Sequence, residues 1–111
     1  MSNPGTCITS TGEIATDIQA TAVLRKSQNF WYDILEVVGP NASGTWSVNT
    51  VKLVNGATVS DGTSSDTYPS GWALSSGRVE RADRGIVTFN AQASNTAPTG
   101  IQCQASITIR N

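Results

Sequence analysis

Cys7 and Cys103 carry the most reactive side chains of this 111-residue sequence, and they lie near its opposite ends. Three arrangements are open to them. They can be two buried thiols acting as small apolar residues. They can form a disulfide within one chain, stabilising it by up to about 4–5 kcal/mol in the chain-entropy picture because the loop closed is so long. They can also link copies, with Cys7 on an N-terminal arm reaching a neighbour. Redox-motif chemistry is excluded, because no Cys-x-x-Cys occurs.

Other chemistry fails on missing residues. The sequence has no histidine, which removes the usual general base near neutral pH, the commonest transition-metal ligand and any Ser-His-Asp or Cys-His constellation. Glycoside hydrolysis needs only two carboxylates. Asp17, Asp33, Glu36, Asp61, Asp66, Glu80 and Asp83 are available, but each falls in a Gly/Ser turn or on the polar side of an alternating run, and nothing pairs two across a cleft. The reading is a protein without catalytic residues. No phosphate-cradling glycine motif occurs. Ser60 to Asp66 is rich in oxygen ligands but lacks the calcium-loop spacing, so a turn-rich loop is expected there. No cofactor or metal is implied.

A contact surface is the better prospect. Tyr68 and Trp72 flank Pro69-Ser70-Gly71, where the chain should turn at the surface. Exposed aromatics beside polar loops stack on sugars and anchor protein interfaces. With Asn55, Asp61 and Asp66 nearby in sequence they form the candidate surface. Trp31 and Trp46 are expected in the core.

Charge narrows the partners. Seven basic and eight acidic residues give a net charge of −1. Arg78, Arg81 and Arg84 cluster, but Glu80 and Asp83 sit among them, so a self-neutralising turn is expected and no nucleic-acid partner. No apolar run of about 18 residues is present, so no membrane insertion by a helix is expected. Met1 to Gly5 lacks the basic and apolar regions of a signal peptide. Asn41-Ala42-Ser43 matches the N-glycosylation pattern.

The elements that would position these residues are strands. Ile101, Cys103, Ala105, Ile107 and Ile109 alternate with polar residues up to Arg110, the period of two of a half-buried strand. The stretch from Glu13 to Leu24 alternates similarly, with Ile14, Thr16, Ile18, Ala20, Ala22 and Leu24 on one face. In Thr45–Val54 the apolar phase moves from Trp46 and Val48 to Val51 and Leu53, which predicts a β-bulge within that strand. Asn55-Gly56 between apolar runs predicts a tight hairpin turn. Ser60 to Thr67 follows as a surface loop. Strands are expected over Ile86–Ala91 and, shorter, near Thr6–Thr9, Trp72–Leu74 and Arg78–Arg81. Residues 29–38 support two readings: Phe30, Trp31, Ile34, Leu35 and Val38 fall at helical spacing before Gly39-Pro40, while the aromatic and β-branched composition favours a strand.

The sum is an all-β, single two-sheet sandwich or jelly roll of about seven to nine antiparallel strands, spanning 1–111, with residues 1–6 as a flexible arm and one possible short helix near 29–38. The sequence is unusually poor in charge, 14% against roughly 25% in an average globular protein. Two roles follow. One is a structural subunit of a virion or extracellular filament, partnered by its own copies or another structural protein, with Thr6–Thr9 as a strand donated to a neighbour. The other is a glycan-binding module using the Tyr68/Trp72 region. Either implies an extracellular or virion-surface location.

Overall fold

The computed structural model of the chain describes residues 1–26, 30–80 and 85–110, and for 78–80 the backbone alone. Nine strands run in order among the described residues: β1 (Ser2–Pro4), β2 (Thr6–Ile8), β3 (Gln19–Lys26), β4 (Phe30–Val38), β5 (Gly44–Val54), β6 (Ala57–Tyr68), β7 (Trp72–Glu80), β8 (Ile86–Ala97) and β9 (Gln102–Arg110). They form a four-stranded sheet, β1-β3-β4-β7, and a five-stranded sheet, β2-β9-β8-β5-β6. Every pairing is antiparallel. The two inner faces share one core of alternating residues, as a sandwich requires.

Composition decided the ambiguous segment. Phe30–Val38 is a strand, with Trp31, Asp33, Leu35 and Val37 inward. Asn55 (φ 52°) and Gly56 (φ 82°) make the β5–β6 turn, in the left-handed conformations a type I′ hairpin needs.

Several expectations are corrected. The Glu13–Leu24 run is a strand only from Gln19, because the chain changes sheets there. Before it, the Ala15 N–H donates to the Cys7 carbonyl and Ile14 bridges Ile8, leaving Ile14 65% exposed. The N-terminus is laid into the fold rather than forming an arm: β1 pairs with β3, and the terminal ammonium donates to the Leu24 carbonyl. Thr6–Ile8 pairs with β9 of its own chain and is not a free donor strand. Ser60–Thr67 is no loop but the body of β6, its backbone held by β5.

The phase change expected inside β5 does not occur. Trp46, Val48, Thr50 and Lys52 all point inward in strict alternation. The irregularity lies across from it, where Val59 is the extra residue of β6 between Lys52 and Leu53.

Gly5 is where the chain passes from the four-stranded to the five-stranded sheet. A Cβ there would lie 2.0 Å from the Gln104 carbonyl oxygen and 2.6 Å from the Ala105 Cβ. Only glycine lets the crossing lie flat on β9.

Candidate functional site

The five residues of the sequence-derived contact surface do not converge. Asn55 is occupied by the hairpin, its side-chain oxygen accepting the Ile86 N–H at 2.8 Å. Asp61 pairs across from Val51 and Asp66 across from Trp46. Cross-strand partners share a face, so Asp61 points outward and Asp66 toward the inner side. Trp72 is 3% exposed. It packs at 5.5 Å from the Trp46 ring, with half-buried Tyr68 stacked on it at 4.5 Å. The Trp46 indole donates to the Ala42 carbonyl at 2.9 Å, so these aromatics are core and core lid rather than an open platform.

Cys7 and Cys103 form a disulfide within the chain, between directly paired residues of β2 and β9 that are 96 positions apart. It lies at one flank of the sandwich. There one chain segment supplies both edge strands, β1 to one sheet and β2 to the other, so the flank is closed by a single crossing at Gly5.

The opposite flank is open. Its edges are β7 and β6, which belong to different sheets. Between them lies a cleft of about 240 Å³ lined by Val48 and Leu74 together with hydroxyl and glycine positions, among them Thr50, Gly62, Ser64 and Ser76. Residues Ala57 to Thr67 of β6 are all exposed. Its inward row, Ser60, Gly62, Ser64 and Asp66, lies opposite Lys52, Thr50, Val48 and Trp46 of β5. Among the described residues, the four-stranded sheet has no strand beyond β7 to cover that row.

Just inside this flank lies a group that sequence reasoning placed on the surface. Asp33 (β4) and Lys52 (β5) are 0% and 2% exposed, with Nζ 3.3 Å from Oδ1. Their link crosses from one sheet to the other. The second carboxylate oxygen accepts the Ser76 N–H at 3.2 Å and, in a shorter contact, the Ser76 hydroxyl. A bulge makes this possible: Asp33 pairs with Gly77 and Leu35 with Leu74, leaving one extra residue in β7 at Ser75–Ser76. Burying two charges is costly unless they are paired and their remaining valences met, and Asp33 has donors on both oxygens. The signal was present in the sequence. Asp33 is in phase with Trp31, Leu35 and Val37, and Lys52 with Trp46 and Val48.

The other candidate carboxylates are dispersed. Asp17 accepts from the Asn41 side-chain amide, the nitrogen a glycan would need. Glu36 lies on the outer face of β4. The Glu80 side chain, Asp83 and most of the arginine cluster lie outside the described residues.

The two outer faces differ in chemistry. That of the five-stranded sheet carries cross-strand rows of uncharged polar side chains, Thr63-Asn49-Gln92-Gln104-Thr6 and, beside it, Ser65-Ser47-Ser94-Gln102. That of the four-stranded sheet exposes Tyr32 (42%) and Val38 (48%), with Ile34 between them on β4 and Val23 opposite Ile34. No helix among the described residues is long and apolar enough to cross a membrane.

The fold and flanks define a disulfide-closed, two-sheet antiparallel sandwich with one open edge. No protein-family model matches the chain, and no curated protein or solved structure matches it significantly.

Proposed function

We propose that this chain is a non-enzymatic assembly subunit, a building block of an extracellular filament or virion surface, that joins other copies of itself along β6. The observation that carries the reading is a long, lightly protected edge. Natural edge strands are blunted by shortness, Lys, Pro or inward charge, and β1 and β2 are three residues each. β6 is twelve residues long, exposed almost throughout, and has no Lys, Arg or Pro. Its main protections are the Val59 bulge at one end and two aspartates.

Two-fold antiparallel pairing centred on Gly62 sets Ser60 against Ser64 and Asp61 against Thr63, each pair on one face. No aspartate then faces another, and every side chain at the centre is small. Such an isologous contact would fuse two five-stranded sheets into one. The outer face of β4, where Tyr32, Ile34 and Val38 surround Glu36, offers a second contact for larger assemblies. The disulfide supports an oxidising location.

Light scattering over a concentration series tests this, with Thr63→Pro and Ser64→Pro made separately. Neighbouring residues of an edge strand send their N–H groups to opposite sides, so one proline breaks the β5 ladder and the other blocks only the open edge. The variant that keeps wild-type stability is expected to remain monomeric at concentrations where the wild type associates. A wild type that stays monomeric, or two folded variants that associate normally, would refute the reading.

A second reading rests on the outer face of the five-stranded sheet. Its near-absence of charge and its amide and hydroxyl rows suit a neutral glycan chain held by hydrogen bonds. Binding to a glycan array that Gln92→Ala and Gln104→Ala abolish would favour it.

A further inference from the structure

We propose that Lys52 and Asp33 condense within the folded chain to an amide, cross-linking the two sheets through their side chains. The reactants are already in place. Nζ is 3.3 Å from Oδ1, and both groups are almost wholly withdrawn from water. Holding an amine and a carboxyl group in contact inside a rigid framework removes most of the entropic barrier to their reaction. Here β4 and β5, from opposite sheets, supply that framework.

The carboxylate is also prepared for attack. Ser76 gives two donors to Oδ2, its backbone N–H and its hydroxyl. Both are directed at the oxygen that gains negative charge when Nζ adds to Cγ, the arrangement that stabilises a tetrahedral intermediate. The bulge at Ser75–Ser76 exists in the register where it delivers this pair of donors.

The step balances without a further reagent. The Lys52 ammonium passes one proton to Oδ1, giving a neutral amine beside a neutral acid. The Nζ lone pair attacks Cγ and the carbonyl electrons move to Oδ2. A second proton goes from nitrogen to Oδ1, the Cγ–Oδ1 bond breaks, and Oδ1 leaves as water. One N–C bond has formed, one C–O bond has broken, and the amide keeps one N–H.

Two features of the site favour the product. Two buried charges become one neutral amide, so the cost of holding ions in an apolar core disappears. The expelled water has a short exit, because Ser76, which touches Asp33, and Thr50, two residues before Lys52 on the same face of β5, both line the cleft at the open flank. The bond would do for the open flank what the disulfide does for the closed one, without depending on redox conditions. This inference is independent of whether β6 mediates assembly.

Mass spectrometry of the wild-type protein, denatured and reduced before a trypsin digest, tests it. Formation of the amide makes the intact chain lighter by one water. It also blocks cleavage after Lys52, so residues 27–78 are recovered as one peptide, lighter by one water. Lys52→Met is expected to restore the full sequence mass. Recovery of separate 27–52 and 53–78 peptides at full mass would overturn the proposal. So would a missing water in a digest that still cuts after Lys52, since the dehydration would then lie elsewhere. The decision rests on the wild type, so it holds even where the variant fails to fold.

Discussion

The two flanks of this sandwich solve the same problem in opposite ways. At one, a single segment crosses between the sheets at Gly5, gives each a three-residue edge strand and is fastened to β9 by the Cys7–Cys103 disulfide. At the other, the chain crosses between the sheets only at one end of two long edge strands, through residues 69–71, and beyond that turn the sheets are held together inside them by a buried Asp33–Lys52 pair. The difference teaches that closure here is local. A flank whose edge strands are three residues long has little backbone left to offer, whereas a flank with long edge strands clamped from within keeps its edge free for another chain.

Breaking the internal clamp should have the largest effect. Asp33→Ala leaves the Lys52 ammonium buried without its partner and is expected to cost about 3–5 kcal/mol, read as a lower midpoint in denaturant. Asp33→Leu with Lys52→Met should recover the part of that loss that comes from the uncompensated ammonium, because an apolar pair of similar volume removes both charged groups. A single variant as stable as the wild type would mean the pair does not hold the open flank.

Opening the closed flank comes next. Reducing the disulfide is expected to lower stability by about 2–4 kcal/mol without changing the number of copies in solution. Non-reducing gels should show no ladder, since both sulfurs belong to one chain. A reductant-sensitive ladder would return the cysteines to an intermolecular role.

A matched pair of glycines compares the flanks directly. Gly5→Ala drives a Cβ into the backbone of β9 and should cost about 1–3 kcal/mol, the usual range for overpacking. Gly62→Ala, in the middle of β6, meets nothing within 4 Å and should stay within about 0.5 kcal/mol of the wild type. Equal melting shifts for the two would contradict a closed and an open flank.

How much of this was legible in the sequence depends on what stands behind each strand. β9 and the first half of β3 have one face on the core and one toward water, so hydropathy alternates and the strands could be read. The Asn55-Gly56 turn was legible because its backbone angles demand those residues. β6 was not, since neither face meets a core: its strand state comes from pairing with β5, which leaves no trace in its own composition. The Asp33–Lys52 clamp was hidden by the same rule that found β9. Charged residues at inward positions break the apolar alternation, and in β5 the break reads as a shift of phase toward Val51 and Leu53. The proposed contact surface failed for a related reason. A Pro-Ser-Gly turn marks the chain as exposed, but the aromatics beside it turn inward onto Trp46.

The smallest effect on stability is expected from the edge-blocking proline in β6, and the largest on behaviour. Its folding free energy should match the wild type within about 0.5 kcal/mol while association is lost.

Amide hydrogen exchange of the wild type, followed by mass spectrometry at low and high protein concentration, tests the role of β6 most directly. Amides on the open side of Ala57–Tyr68 are expected to become protected as concentration rises, while β1, β2 and β7 exchange as before. Association with unchanged exchange in β6, or no association at any concentration, would contradict the account.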